Sequence, residues 1–307
     1  MFIIEVVPAA RIPLFNPQIL TYFTSQKLSL GSLVSVPVNK KQILAVVLTT
    51  APLKDQKMSL KKAGFELKAV TKIISPAPIL NERQIILAKW MHQYYWTPLG
   101  LVIKTMLPKT TSLRGRLGRS KQSRPRLNHE IASSPPWTGH RNDIAQKLIL
   151  APEISLISNL AKKYAIENIA VLHSQLKNKE YWQNWLKIKN GQAKIIIGTR
   201  QALLAPFTNL QEIIVEEEHN ANYKSPQAPR FYVRETALKL AEIWQAQIIF
   251  KSPTPSIETY WLAKQKKLQL EHQTLNNAPA VSRLVDLRQE LKEGNFKKKI
   301  ILDKKII

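Results

Sequence analysis

The apolar positions of this chain fall into two rhythms, one of strands and one of helices alternating with strands. Met1–Pro8, Leu33–Pro37 and Ile43–Thr49 are β-rich runs, and Asn39-Lys40-Lys41 is the turn between the last two. Asparagine accepts the positive φ such a turn needs, which leaves two lysines at its tip. From Asn81 the spacing becomes helical, with Ile85, Ile86, Trp90 and Tyr94 recurring behind an asparagine cap. Pro98 ends that helix, and a second short one is expected over Leu99–Met106. Tyr94, Tyr95 and Trp96 stand where they serve either core packing or an aromatic surface.

From Lys147 strand and helix alternate. Lys147–Pro152, Asn168–His173, Lys194–Gly198, Glu212–Glu216 and Gln247–Lys251 read as strands. Ser155–Tyr164, Lys179–Lys189 and Arg230–Ala246 read as the helices between them. Such alternation implies a parallel sheet wrapped on both faces. Between the two regimes, Arg114, Arg116, Arg119, Lys121, Arg124 and Arg126 are spaced among Gly, Ser and Pro with almost no apolar content. That stretch cannot bury enough to order itself, so residues 109–136 are expected to be a basic linker that binds phosphate without regard to sequence.

Charge sharpens the picture. The 307 residues hold 46 Lys+Arg against 21 Asp+Glu, a formal charge of +25. Self-repulsion of that size is relieved by a polyanion, which puts nucleic acid first and an anionic membrane surface second. Hydrophobic residues make up 44% of the chain, enough for packed cores. No apolar run approaches the roughly 20 residues of a membrane span, and the N-terminus lacks a signal-peptide layout. With no cysteine there is no disulfide and no thiolate zinc site. A cytoplasmic protein is expected.

The densest chemistry lies in Leu210–Lys224. Ile213, Ile214 and Val215 form a short apolar run, and Glu216, Glu217, Glu218 and His219 follow it at once. In an open α/β sheet ligands sit beyond the carboxyl ends of strands. Adjacent carboxylates repel, so the cluster is either a solvated acidic turn or a place where a cation offsets the repulsion.

The surrounding motifs favour the second. IIVEEEHNANYK, followed by Pro229-Arg230-Phe231, resembles the Walker B box of superfamily 2 helicases, and more narrowly that of the primosomal protein N′ family of replication-restart helicases. Leu150-Ala151-Pro152-Glu153-Ile154, Leu172-His173-Ser174 and Ile197-Gly198-Thr199-Arg200 resemble that family's upstream motifs. Ser252-Pro253-Thr254-Pro255-Ser256 and Val285-Asp286-Leu287-Arg288 are similar to its downstream ones. The first unit resembles the family's domain for the 3′ end of a DNA strand, through Gly31, Val34-Ser35-Val36-Pro37, Lys40-Lys41, Tyr94-Tyr95 and Pro98-Leu99-Gly100. Leu20-Thr21-Tyr22 replaces the family's Phe-Asp-Tyr, and Asn39 its turn glycine.

The resemblance implies an α/β fold: a β-rich N-terminal DNA-binding domain (1–108), the basic linker (109–136), one incomplete RecA-like lobe (137–275) and the start of a second lobe with a basic tail (276–307). It implies DNA contacts at Tyr22, Phe23, Gly31, Lys40, Lys41, Thr199 and Arg200, to which the strip adds Arg114, Arg116, Arg119, Arg124 and Arg126. DNA forks, 3′ ends or single strands are the implied partners, with other replication-restart proteins beside them and no membrane.

The catalytic half of the resemblance is degraded. The phosphate loop G-x-x-x-x-G-K-[ST] should precede Leu150, but only Thr138-Gly139 echoes it, with Asn142 and Asp143 where lysine and hydroxyl belong. Twelve positions from Gly139 to Ala151 are too few for the loop, its helix and the next strand. Glu216 replaces an aspartate, while Lys251 and Pro253 replace a glycine and an alanine. Glu216, Glu217, Glu218 and His219 are therefore expected to be a relic, without bound ATP, magnesium or any other metal, and with Lys224, Arg230 or Arg200 as neutralising partners. The favoured reading is DNA binding without ATP-driven unwinding. An ATP-dependent 3′–5′ helicase completed by a separate chain or cut short as a gene product, and a basic RNA-binding protein, are the alternatives.

Overall fold

The computed structural model describes residues 1–39, 41–56, 67–108, 144–164 and 168–271. Met1–Ile257 form one compact unit and Glu258–Ile307 a second. Residues 109–136, 276–307 and the Val285–Arg288 motif lie outside the described residues.

Strands β1 (Phe2–Pro8), β2 (Leu20–Thr24), β3 (Leu33–Val38), β4 (Lys41–Pro52), β5 (Lys68–Ala69) and β6 (Lys72–Ser75) make one sheet in the order β5-β2-β1-β4-β3-β6. β1 runs antiparallel to β2 and β4, and β3 antiparallel to β4 and β6. The apolar runs of the sequence mark β1, β3 and β4 but not the other three strands. β2 carries residues read as contacts, and β5 and β6 are too short to show a period. Two strands separate β2 from β3, which in a flat sheet stand about 14 Å apart. Yet the Tyr22 hydroxyl on β2 donates to the Pro37 carbonyl on β3 at 2.9 Å. The sheet is therefore curled.

Both faces of the curl are buried, in the two-residue period of a strand. Ala45 and Val47 of β4 pack inside with Ile4, Val6, Tyr22, Leu28, Val34 and Val36. Val46 and Leu48 belong to the other core, with Val7 and Leu33.

That outer core does not stop at residue 108. Helix α1 (Glu82–Tyr94) starts in a capping box, in which the Asn81 side chain accepts from the Gln84 amide and the Gln84 side chain accepts from the Asn81 amide. Its buried face is Gln84, Ile85, Leu87, Ala88 and Met91. This corrects the apolar stripe read from the sequence, of which Ile86 is 44% and Tyr94 54% exposed. The true stripe includes a polar residue, Gln84, and polarity hid it from a hydrophobicity count. Trp96 is 82% exposed, whereas Tyr95 is half-buried and bonded to Thr236. Helix α2 (Leu99–Met106) follows Pro98 over the expected range.

The parallel sheet comprises β7 (Gln146–Leu150), β8 (Ile169–Leu172), β9 (Ile195–Gly198), β10 (Leu210–Val215) and β11 (Gln247–Phe250), in the order β11-β10-β7-β9-β8. Helices α3 (Ile157–Lys163), α4 (Asn178–Lys189) and α5 (Val233–Trp244) connect the strands. One apolar cluster under this sheet holds Ile149, Ile157, Ile197 and Ile214; the opposite side joins the core of α1 and α2. The α/β plan of a β-rich domain and a partial parallel-sheet lobe is therefore the observed one. α5 begins three residues later than its pattern suggested. A bridge between Lys224 and Tyr232, with the Ser225 amide on the Phe231 carbonyl, holds the preceding segment extended.

The two sheets are joined by polar bonds as well as by shared core. Asn81 Nδ2 donates to the Phe207 carbonyl at 2.8 Å, and Gln84 Nε2 to the Leu204 carbonyl at 3.2 Å. The Arg83 guanidinium lies 4.1 Å from the centre of the Trp244 ring. Helix α6 (Ile257–Lys264) begins at the last residue of the first unit, and all its other residues belong to the second, which is described as far as residue 271.

Candidate functional site

Two places gather the residues singled out by the sequence. The first is the curled sheet. Lys41 is exposed and pairs with Val38 across the hairpin, whose turn has Asn39 at φ 45°. Phe23 is half-buried on β2. Tyr22, read as a stacking contact, is buried inside the curl with its hydroxyl on Pro37. Its ring offers no free face to a base, and its part is to fix β2 against the β3 end of the hairpin.

Gly31, also read as a contact, has a packing reason to be glycine. Its φ is +83°, and a Cβ there would stand 1.8 Å from the Leu80 carbonyl oxygen. Its carbonyl accepts from the Ile79 amide at 2.8 Å, tying the sheet to the segment that leads into α1.

The structure adds two lysines. Lys68 pairs with Tyr22 in the parallel β2–β5 register, and Lys72 pairs with Ser35 on β3; both are exposed. Nothing in the local pattern singled them out. Only the strand pairing sets Lys68 beside β2 and Lys72 beside β3, giving the sheet two exposed ammonium groups in addition to Lys41. Lys40, Arg114, Arg116, Arg119, Arg124, Arg126, Thr138 and Gly139 lie outside the described residues.

The second place is the carboxyl edge of the parallel sheet, where β7, β9, β10 and β11 deliver Glu153, Thr199, Glu216 and Lys251 to one side. Glu218 is buried. Its Oε1 accepts from Ser256 Oγ at 2.6 Å and from Arg234 at 3.5 Å, and its Oε2 accepts from the Ser256 amide at 3.1 Å. Glu216 Oε1 lies 2.9 Å from Lys251 Nζ. Glu217 has φ 51°, and its Oε2 accepts from Asn220 Nδ2 at 3.3 Å. His219 Nδ1 is 2.8 Å from Ser252 Oγ.

The neutralising cations are thus Lys251 and Arg234, not Lys224, Arg230 or Arg200 as the sequence suggested. Lys251 arrives on the strand beside β10, and Arg234 in the first turn of α5; the side chains of Lys224 and Arg230 are exposed. Arg200 instead donates to the Asn222 carbonyl at 3.0 Å, and the Thr199 amide to the Leu172 carbonyl at 3.2 Å.

Tyr223 lies beneath the cluster and donates its hydroxyl to the carbonyls of Leu150 and Glu216. Burial pushes its pKa up, and the charges of Glu216, Glu217 and Glu218 push it further. Among the described residues no group of three or more His, Cys, Asp or Glu is arranged to hold a metal ion. No helix among them is long and apolar enough to cross a membrane.

Comparison with known proteins bears on both places. The family of the 3′ DNA-binding domain (3′BD) of PriA matches residues 7–108. The replication restart protein PriA of Bacillus subtilis is 35% identical over 156 residues, 49% of this chain and 19% of that protein. PriA of Helicobacter pylori strain J99 is 32% identical over 277 residues, 81% of this chain and 43% of that protein. PriA of Buchnera aphidicola is 31% identical over 244 residues, 78% and 32% respectively. The chain spans less than half the length of these relatives. Among solved structures, the Saccharomyces cerevisiae Dbp5 C-terminal domain, bound to Gle1 and IP6, aligns over 40% of this chain and 71% of that one. At TM-score 0.30 and 16% identity that likeness carries no argument.

Proposed function

Because the chain belongs with the PriA replication restart proteins, we propose that it binds DNA in replication restart, holding forks or free 3′ ends through residues 1–108 without ATP-driven unwinding. The observation that carries the reading is the match of residues 7–108 to a 3′ DNA-binding domain, on a folded sheet that exposes Lys41, Lys68 and Lys72. A strand end is met by ammonium groups on its phosphates and by a ring such as Phe23 against its base. The formal charge of +25 supports polyanion binding.

The ATP half of the proposal rests on the sequence. No G-x-x-x-x-G-K-[ST] loop occurs in the 307 residues. Without the lysine and the amide cradle nothing positions a γ-phosphate for attack, whatever the carboxylates do. The protein works without ATP, magnesium or another cofactor, and meets other replication-restart proteins on the DNA.

Fluorescence anisotropy tests the first half, with forked, blunt and single-stranded DNA and with RNA, at several salt concentrations. A free 3′ end is expected to bind tighter than the same strand blocked there; equal affinity would leave a basic surface without a pocket. Equal affinity for RNA and DNA with no preference for forks would favour the RNA-binding alternative. A second reading, in which the lobe works in an ATPase completed by another chain, is favoured by the retained acid cluster at the strand ends. A DNA-stimulated ATPase that disappears in Glu217→Gln would establish it; the proposal expects hydrolysis at the buffer level and no effect of ATP on DNA affinity.

A further inference from the structure

Each carboxylate after β10 meets a donor supplied by the fold. Glu218 is taken up by Ser256 and Arg234, and Glu217 by Asn220. Glu216, the first of the three, faces the Lys251 ammonium at 2.9 Å. Its side chain is 18% exposed, so this pair is shielded from solvent on the carboxylate side.

The lysine is placed by the backbone. Its amide donates to the Val215 carbonyl, and its own carbonyl accepts from the Glu218 amide, both at 2.9 Å. The residue after β11 is therefore stitched to both sides of Glu216 in the chain, and its side chain lies along the acid it neutralises. Burial lowers the affinity of Lys251 for its proton. The bond and charge of Glu216 outweigh that, with Tyr164 adding to them, and hold the ammonium above its ordinary range.

A magnesium–nucleotide in the resembled family calls for an accessible carboxylate here, and the residues present do not fit one. A divalent cation seeking Glu216 finds a positive charge already seated, and like charges within a few ångströms in a partly buried site exclude one another.

We propose that Lys251 is a resident counter-ion that closes the acid cluster to divalent cations, making the cluster a clasp between the ends of β10 and β11. This stands apart from the DNA-binding reading: either can fail while the other holds.

Titration of the full chain with MnCl2, following free Mn²⁺ by electron paramagnetic resonance, tests it. The comparison uses the wild type, E216Q, K251A, K251G and K251A/E216Q, each checked for folding by circular dichroism. Wild type and E216Q are expected to take up Mn²⁺ alike. K251A and K251G are expected to gain one site about tenfold tighter than any in the wild type, since removing a neighbouring positive charge favours the second cation by that order. K251A/E216Q is expected to lose it. Saturable Mn²⁺ binding in the wild type that E216Q abolishes would overturn the proposal, a comparison that needs no Lys251 variant to fold. Folded K251A and K251G without a new site would overturn it equally.

Discussion

Asn81 offers the sharpest test of how the two sheets are held together, because one side chain serves both local and long-range structure. Its Oδ1 accepts from the Gln84 amide at 2.8 Å, capping α1, and its Nδ2 donates to the Phe207 carbonyl at 2.8 Å. Losing an N-cap costs about 1 kcal/mol. Leaving the Phe207 carbonyl without its donor in a buried setting adds roughly 1–3 kcal/mol. Asn81→Ala is therefore expected to lower stability by about 2–4 kcal/mol. Asn81→Ser keeps a capping oxygen but cannot reach Phe207, and is expected to recover only the capping part. The assay is urea unfolding followed by far-ultraviolet circular dichroism and tryptophan fluorescence. The two probes are expected to report one transition, because the core of α1 and α2 is continuous with that of the parallel sheet. Full recovery in Asn81→Ser, or two separate transitions, would refute the idea that this joint stabilises a single unit.

Three further outcomes follow from the geometry. Gly31→Ala is expected to cost at least about 3 kcal/mol in the same denaturation assay, because its Cβ would stand 1.8 Å from the Leu80 carbonyl oxygen at a φ of +83°. Combined Lys41, Lys68 and Lys72 to Ala substitution is expected to weaken DNA binding and flatten the log–log salt slope by about 2–3 units, at roughly 0.7–0.9 per lost phosphate contact; an unchanged slope would remove these lysines from the interface. Burial holds Lys189 down at about 8 against an ordinary 10.5, so between those values the unfolded chain keeps a proton that the folded chain has released. Stability is thus expected to rise with pH across that window, and Lys189→Met to flatten the rise and add on the order of 2 kcal/mol near neutral pH.

Much of the plan is legible without coordinates, and the reason is periodicity. The runs that became β1, β3, β4 and the parallel strands carry their own apolar signal, and Asn81 and Pro98 mark helix ends through rules that act over three or four residues. The acid cluster after β10 was visible for the same reason, since a buried run followed by charge is a local pattern. The partners of that cluster were not. Lys251 follows Glu216 by 35 positions and reaches it only because β11 pairs in parallel with β10. Lys224, Arg230 and Arg200 looked more plausible because they belong to recognisable motifs, but motif membership does not direct a side chain.

The same division separates the residues of the curled sheet. The sequence alone marked Tyr22, Phe23 and Gly31 as candidate contacts through a family resemblance and placed Lys41 at a turn. Tertiary structure decided what each does: the curl turns the Tyr22 ring inward, the approach of Leu80 reserves position 31 for glycine, and pairing sets Lys68 beside β2. It also decided that α1 buries Gln84, whose side-chain oxygen accepts from the Asn81 amide and whose side-chain nitrogen donates to the Leu204 carbonyl. Burying an amide without hydrogen-bond partners is costly, and the partners of Gln84 lie 3 and 120 residues away along the chain. Local pattern fixes which residues form an element; which face meets what depends on groups that only the folded chain brings within hydrogen-bonding distance.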